Sequence, residues 1–134
     1  MPVWEEAWRV AASIIESRIM TLTHRVALIT GGRRIGAVIA RRFAEAGADI
    51  ALVYNRSRQE AEDAARVIRA LGRRAITLRA DVADPSDWAR LVESTTQELG
   101  RLDVLVNMAS RYEAKPLHDV TVDDWDRQLQ VDLR

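Results

Sequence analysis

Short apolar runs alternate with amphipathic segments over most of the chain. Four runs rich in aliphatic and β-branched residues predict strands at 25–30, 49–54, 75–79 and 102–106. The first, second and fourth are nearly continuous in apolar residues, which is typical of strands covered on both faces. Strands that alternate with helical segments in this way indicate an α/β fold built on a parallel sheet.

Amphipathic segments at 35–46 and 59–71 predict the first two helices, each followed by a glycine, Gly47 or Gly72. Glycine readily adopts the left-handed conformation that ends a helix. Both helices are therefore expected to end immediately before the next strand begins.

A third helix is predicted between Asp84, as the N-cap, and Gly100, with Pro85 at the first helical position, where its missing N–H does no harm. A fourth is predicted to begin near Thr121 and to continue as far as Arg134. The apolar stripes expected to face the core are Trp88, Leu91, Val92 and Leu99 in the third helix, and Val122, Trp125 and Leu129 in the fourth.

Residues 1–23 form a segment of their own ahead of a domain at 24–134. Its apolar side chains recur at helical spacing and predict an amphipathic helix: Val3, Trp4, Ala7, Trp8, Ala11, Ile14 and Ile15. This helix could dock a partner or a membrane surface, although its polar face lacks the excess of Lys and Arg expected of a membrane binder. The alternatives are a helix folded back on its own domain and a translated leader, with Met20 as the natural start.

Composition narrows the classes of function. A chain of 134 residues fits one globular domain, and its 20 basic and 20 acidic residues leave no net charge to attract nucleic acid. Cysteine is absent and only two histidines are present, so disulfides are excluded and a metal site is not expected. The apolar runs, such as 26–29, are far too short to span a bilayer, which favours a cytoplasmic protein.

The first predicted strand runs directly into a glycine-rich turn, TGGRRIG at 30–36, and then into a helix. Gly31 permits a tight turn, and Gly36 would let a phosphate approach the start of the helix. Backbone N–H groups and the helix dipole favour negative charge there, and Arg33 and Arg34 add positive charge. The turn therefore suggests a site for a dinucleotide pyrophosphate, with a plain tight connection as the alternative.

Three motifs together resemble the short-chain dehydrogenase/reductase family, in particular its pteridine-reductase-like and 3-oxoacyl-reductase-like members. They are TGGRRIG, the pair Asp81-Val82 after the third strand, and Asn107-Met108-Ala109-Ser110 after the fourth. The resemblance covers 25–134, the N-terminal part of the family pattern. It implies a Rossmann-type doubly wound parallel sheet, truncated to about four strands in the order 3-2-1-4, and a parent reaction of hydride transfer to or from a carbonyl or reducible ring.

The resemblance and the chemistry of the turn together indicate which residues hold the cofactor. Asp81 and Val82 would adjoin the adenine, and Asn107 and Ala109 the ribose and nicotinamide side, with simple strand-end capping as the alternative for Asp81 and Asn107. The turn residues expected at the pyrophosphate are Thr30, Gly31, Arg33, Arg34, Ile35 and Gly36.

The end of the second strand bears on the choice of cofactor. An acidic residue there would accept hydrogen bonds from a ribose 2′-hydroxyl, but this chain has Asn55, Arg56 and Ser57. A guanidinium and a hydroxyl, with Arg34 approaching from the glycine turn, would suit a 2′-phosphate, so NADP(H) is predicted over NAD(H). The alternative is that Arg56 and Arg58 are solvated charges that open a helix.

The chain also departs from the family pattern. The glycine turn is one residue shorter than usual, which shifts its N–H donors relative to the helix and puts its affinity for pyrophosphate in question. Asp132 stands where the family has a catalytic Asn, and an ionised acid cannot donate the hydrogen bonds of an amide. The catalytic Ser and Tyr-x-x-x-Lys of the family lie downstream, so no catalytic residue is assigned and this chain alone is expected to be inactive.

Two functions of other classes stay open. A non-catalytic interaction module or pseudoenzyme would use the N-terminal helix and an open sheet edge at 102–106 to pair with itself or with a partner chain. A receiver-like signalling domain would use Asp81 as phosphoacceptor, but it would need acidic residues where this chain has Thr30 and Gly31.

Overall fold

The computed structural model describes Glu6, Arg9, and residues 21–31, 33–111 and 113–133. Residues 21–133, as far as they are described, form four strands and four helices: β1 (Val26–Thr30), α1 (Ile35–Glu45), β2 (Asp49–Tyr54), α2 (Arg58–Ala70), β3 (Ala75–Arg79), α3 (Pro85–Leu99), β4 (Val104–Asn107) and α4 (Val122–Asp132), with a short 3-10 turn at Leu117–Asp119. Within these residues, no helix is both long and apolar enough to cross a membrane.

The strands form one parallel sheet in the order β3-β2-β1-β4, as predicted. Ala27 and Ile29 of β1 point to the face covered by α1 and α2, and Val26 and Leu28 point to the face covered by α3. Helices on both faces of a parallel sheet are the doubly wound arrangement, and β1 and β2 are buried along their length as expected for central strands.

The fourth strand differs from its prediction. It begins at Val104 and ends at Asn107, so it lies one to two residues further along the chain than 102–106. Its side chains alternate between half-buried and exposed, and Leu105 is 50% exposed. The expected burial on both faces was wrong, because β4 has β1 as its one partner among the described residues and forms an edge of the sheet.

The third helix begins and ends where the sequence predicts. Asp84 accepts a hydrogen bond from the backbone N–H of Ser86 (2.9 Å), and Gly100 has a φ of 90°. Its expected stripe is correct for Leu91 and Leu99, but Val92 is exposed and the prediction for it was wrong. The buried neighbour is Thr95, whose hydroxyl donates to the carbonyl of Leu91, so its polar atom is satisfied inside the helix.

The fourth helix begins with a capping box between Thr121 and Asp124, but it ends at Asp132, earlier than predicted. Val122 is 75% exposed and Trp125 is 63% exposed, so the prediction that they face the core was wrong. Leu129 is half-buried. Apolar periodicity correctly indicates one face of a helix, but whether another element covers that face depends on tertiary packing.

The predicted N-terminal amphipathic helix lies outside the described residues, apart from Glu6 and Arg9, which are helical and exposed. Its boundary at 23 and its role therefore stay predictions.

A cluster of charged side chains joins the amino end of β2 to the loop before β3. The buried carboxylate of Asp49 accepts from the backbone N–H (3.0 Å) and the Nε (2.8 Å) of Arg74, and it pairs with Arg73 at 2.7 Å. Burial raises the pKa of the Asp49 carboxyl, but the bonds from Arg74 and the two guanidinium charges outweigh it and leave the pKa below its ordinary value. This carboxylate therefore stabilises the fold in its ionised form.

Candidate functional site

The glycine turn and the loop that follows β4 meet at the carboxyl end of the sheet. From β1 the chain continues to β2 and β3 on one side, and then returns to β4 on the other side of β1. The crevice outside β1 and β4 is therefore the point at which the strand order reverses, where α/β sheets commonly bind ligands.

The hydroxyl of Thr30, at the end of β1, fastens these two segments together. Its Oγ1 accepts hydrogen bonds from the backbone N–H groups of Met108 (3.1 Å) and Ala109 (3.2 Å). The N–H of Met108 also lies 3.2 Å from the carbonyl oxygen of Thr30. Thr30 is buried, so its contribution to the site is to hold the loop after β4 against the glycine turn.

Gly31 cannot be replaced without disturbing that contact. Its φ of 74° lies in the region that favours glycine, and a Cβ added there would lie 2.7 Å from the carbonyl carbon and oxygen of Met108. It would also lie 2.8 Å from the backbone nitrogen of Ala109. Glycine is required both by the backbone conformation and by the close approach of the second loop.

Gly36 has a reason for being glycine that differs from the one expected. A Cβ at Gly36 would overlap the carbonyl oxygen of Gly31, so the start of α1 packs directly on the turn. From the sequence, glycine at this position was predicted to let a phosphate approach the start of the helix. In the structure, a backbone carbonyl of the protein already occupies it.

Arg34, the N-cap of α1, is in a backbone conformation that is unusual for a side-chain-bearing residue. Its φ is 47° and its ψ is −105°, and its side chain makes no capping hydrogen bond. Such conformations cost of order 1–3 kcal/mol and are kept only where the surroundings require them. The turn that is one residue shorter than the family spacing reaches α1 by way of this strained residue.

The end of β2 lies near the glycine turn. Asn55 and Arg56 are exposed, and Ser57 is half-buried as the N-cap of α2. Arg33 Nε lies 3.5 Å from Glu60 Oε1 in the first turn of α2. The sequence predicted that Arg34 would approach this region. In the structure, Arg33 forms the ion pair between the glycine turn and α2.

The acidic residue after β3 takes part in the local turn. Asp81 Oδ1 accepts from the N–H of Ala83 (3.0 Å), and the N–H of Asp81 donates to Asp87 Oδ2 (2.7 Å). Hydrogen bonds from the Arg90 side chain and then from the Asp81 backbone lower the pKa of Asp87. Asp81 thus caps the end of the strand, which was the alternative to a contact with the adenine, and its side chain is exposed at the edge of the site.

A cavity of about 330 Å³ opens at the carboxyl end of the sheet and brings several predicted residues together. It is lined by Val82, Trp88, residues 107–110, Val131 and Asp132. Asp132 is exposed and accepts a hydrogen bond from Gln128 Nε2 (2.5 Å). Val82, Asn107, Ala109 and Asp132 therefore share one cavity although they come from three separate segments.

Sequence reasoning missed two residues: Trp88, which lines the cavity, and Glu60, which pairs with Arg33 of the glycine turn. Trp88 was expected only in the core, but its indole N–H donates to the carbonyl of Val82 (3.0 Å) and its side chain lines the cavity. Glu60 has a signal in the sequence, because it is the first acidic residue after the basic end of β2. Its pairing across to Arg33 requires the tertiary fold.

The parallel sheet, the helices on both faces and the glycine turn at the crevice define a Rossmann-type α/β domain. Within that class, the chain belongs to the short chain dehydrogenase family, whose profile matches residues 25–134.

Among characterised relatives, the hydroxynaphthalene reductase arp2 of Aspergillus fumigatus is 34% identical over 116 residues, which are 86% of this chain and 42% of the relative. Versicolorin reductase 1 of Aspergillus parasiticus is 40% identical over 114 residues, which are 84% of this chain and 44% of the relative. The chain thus spans less than half the length of these relatives.

Solved structures agree with this assignment. A short chain dehydrogenase from Burkholderia cenocepacia in complex with NADP has 45% sequence identity and a TM-score of 0.80, and the match covers 86% of this chain and 47% of that one. A blue fluorescent protein from a metagenomic library, in complex with NADPH, has 42% identity and a TM-score of 0.78, with coverage of 86% and 48%.

Proposed function

We propose that this chain binds NADP(H) at the crevice between the glycine turn and the loop after β4, as the cofactor-binding part of a short-chain dehydrogenase/reductase. The observation that carries the proposal is the contact of these two loops through Thr30 and Gly31. The parent reaction would be hydride transfer to or from a carbonyl or reducible ring. The structural neighbours in complex with NADP and NADPH support this proposal.

The residues present fit a dinucleotide with a 2′-phosphate. The turn is compact because of Gly31 and Gly36, and its neighbourhood offers exposed cations that would pair with the phosphates: Arg33, Arg34 and Arg56. The end of β2 carries Asn55 in place of an acid that would repel a phosphate. When bound, the nicotinamide supplies or accepts the hydride; the chain's own residues would hold and orient the nucleotide.

The first test is a titration of the chain with NADPH and, in parallel, with NADH. Cofactor fluorescence reports binding, and the thermal midpoint should rise at saturating cofactor because the ligand binds the folded state. Saturable binding of NADPH with a raised midpoint is expected. A well-folded chain that binds neither nucleotide would refute the proposal.

Two glycine variants make a matched pair for this titration. Gly31 and Gly72 have nearly the same φ, 74° and 77°, so alanine strains the backbone similarly at both. A Cβ at Gly31 would collide with the loop after β4, whereas a Cβ at Gly72 would meet nothing within 4 Å. We expect Gly31→Ala to weaken NADPH binding at least about tenfold and Gly72→Ala to leave it unchanged. Equal effects would show that general destabilisation, and not the turn, controls binding.

The preference for NADP(H) rests on the basic end of β2. Arg56→Gln should lower the affinity for NADPH by about tenfold, since an exposed guanidinium paired with phosphate is worth roughly 1–2 kcal/mol. The affinity for NADH should change little, because NADH has no 2′-phosphate. Parallel losses for both nucleotides would contradict the assignment of Arg56 to the phosphate.

Other features of the parent enzyme stay predictions. They include the pteridine-reductase-like or 3-oxoacyl-reductase-like branch, the cytoplasmic location and the correspondence of Asp132 to the catalytic Asn of the family. The interaction-module alternative is favoured by one observation, the edge strand β4 with its half-exposed Leu105. Sedimentation of the chain over a range of concentrations tests it: self-association weakened by Leu105→Lys would support that alternative, and a monomer throughout would remove the self-pairing form.

A further inference from the structure

Glu60 places a negative charge beside the region proposed for the 2′-phosphate. Its Oε1 lies 3.5 Å from Arg33 Nε, and the pair joins the glycine turn to the first turn of α2. Both side chains are about half exposed, 59% for Arg33 and 51% for Glu60. A bound nucleotide could therefore approach either partner from solvent.

The position of Glu60 in α2 would normally give it a different task. It is the third residue of the helix, from which a glutamate can reach back to the N-cap backbone while the N-cap side chain bonds to the third N–H. Ser57, the N-cap of α2, makes no side-chain capping bond. In α4 the equivalent residues, Thr121 and Asp124, close a complete capping box. Glu60 instead directs its carboxylate to Arg33 in the glycine turn.

The glycine turn and the segment that leads into α2 carry further basic residues. Arg34, Arg56 and Arg58 come from the same two segments, and Glu60 is the acidic residue of the first turn of α2. A 2′-phosphate would be repelled by the carboxylate and would compete with it for Arg33. A ribose 2′-hydroxyl carries no charge and would do neither.

We infer that Glu60 is a specificity-determining residue that holds Arg33 in competition with the cofactor 2′-phosphate and so limits the preference of the site for NADPH over NADH. This inference rests on the proposed cofactor-binding function. It assigns Glu60 no contact with the reacting atoms.

Glu60→Gln tests the inference directly. It removes the charge but keeps the length of the side chain, and it should raise the affinity for NADPH roughly three- to tenfold, as expected for one unit charge a few ångströms away in a solvated site. The affinity for NADH should change less than about twofold, because its ribose is neutral there. The gain for NADPH should shrink in high salt, since the charges are exposed.

Asp63→Asn is the matched control. Asp63 lies on the same helix, its side chain is also 51% exposed, and it pairs with an arginine of its own, Arg66, at 2.9 Å. Removing this charge three residues further along α2 should leave both nucleotide affinities nearly unchanged. An equal gain in NADPH affinity from Asp63→Asn would overturn the specific role of Glu60.

A double variant tests whether the effect passes through Arg33. In an Arg33→Gln background, Glu60→Gln should give a much smaller gain in NADPH affinity than in the unaltered chain. An undiminished gain would overturn the competition for Arg33. NADPH binding that is unaffected or weakened by Glu60→Gln alone would overturn the inference while leaving the proposed function intact, whereas absence of any binding by the unaltered chain refutes the proposed function itself.

Discussion

Replacing Thr30 by valine removes the hydroxyl that joins the two loops of the site while keeping the shape of the side chain. In the structure this hydroxyl accepts from the N–H groups of Met108 and Ala109. After the substitution, the N–H of Met108 retains the carbonyl of Thr30 at 3.2 Å, but the N–H of Ala109 loses its acceptor. The change therefore leaves one partly buried donor unsatisfied and removes the long bond (3.5 Å) that the hydroxyl donates to the carbonyl of Val106.

The expected loss follows from that count. An unsatisfied buried donor costs about 1–3 kcal/mol, so Thr30→Val should lower the free energy of unfolding by about this amount. With a urea m-value of about 1–3 kcal/mol/M, the midpoint of urea unfolding should fall by roughly 1 M. Because the loop after β4 is then less firmly held against Gly31, the affinity for NADPH should also fall.

Thr95→Val is the control for this substitution. Thr95 is also fully buried, but its hydroxyl donates to the carbonyl of Leu91, four residues earlier in the same helix. Its removal should cost under about 0.5 kcal/mol, because such bonds add little to a helix. Thr30→Ser keeps the hydroxyl and should recover nucleotide affinity. Equal losses of stability for Thr30→Val and Thr95→Val would refute the assignment of the Thr30 hydroxyl to the loop contact.

Four further substitutions test other parts of the structure. Arg34→Gly should raise the free energy of unfolding by about 1 kcal/mol, because relief of the strained φ exceeds the extra freedom of glycine when unfolded; a loss would refute the strain. Asp49→Asn should lower the free energy of unfolding by about 1–3 kcal/mol at pH 7, since the hydrogen bonds from Arg74 weaken. The pKa of Asp49 is lowered in the folded state, so the ionised carboxylate stabilises the fold at pH values above the unfolded pKa and loses this effect as the pH falls. The difference in free energy of unfolding between parent and Asp49→Asn should therefore shrink below about pH 4, and a difference independent of pH would contradict the role of the ionised carboxylate. Leu91 is buried and Val92 is exposed, so Leu91→Ala should lower the free energy of unfolding by about 2–5 kcal/mol and Val92→Ala by under about 0.5 kcal/mol, both measured by urea unfolding. Equal losses would contradict the observed orientation of α3.

Most element ends could be predicted from local pattern, and the strand order from the family resemblance, but the exposure of side chains on the edge strand could not. Leu28 of β1 and Leu105 of β4 are paired in register and point to the same face. One is fully buried and the other is half exposed, although both stand in apolar runs. The difference arises because, in the sheet that the described residues form, β1 has a neighbour on each side and β4 has one, which is a property of the assembled sheet.

The candidate site was predictable where a residue type is required by backbone geometry. Gly31 has the positive φ and the crowded surroundings that its place after a strand suggested. The partners of charged residues were less predictable, because a long exposed side chain can reach several positions. Arg33, and not Arg34, meets α2, and it does so through Glu60, whose sequence position equally suits a helix cap.

The glycine turn is required by the protein's own packing as well as by any ligand. The carbonyl of Gly31 fills the space beside Gly36, and the backbone of Met108 fills the space beside Gly31. A turn with these glycines would therefore be needed for folding even without a nucleotide, so loss of stability in a glycine variant is no evidence of binding. The cations at the end of β2 and the carboxylate of Glu60 have no such packing role, because they are exposed. Nucleotide affinity in variants of these exposed residues is thus the measurement that separates a cofactor site from a compact connection.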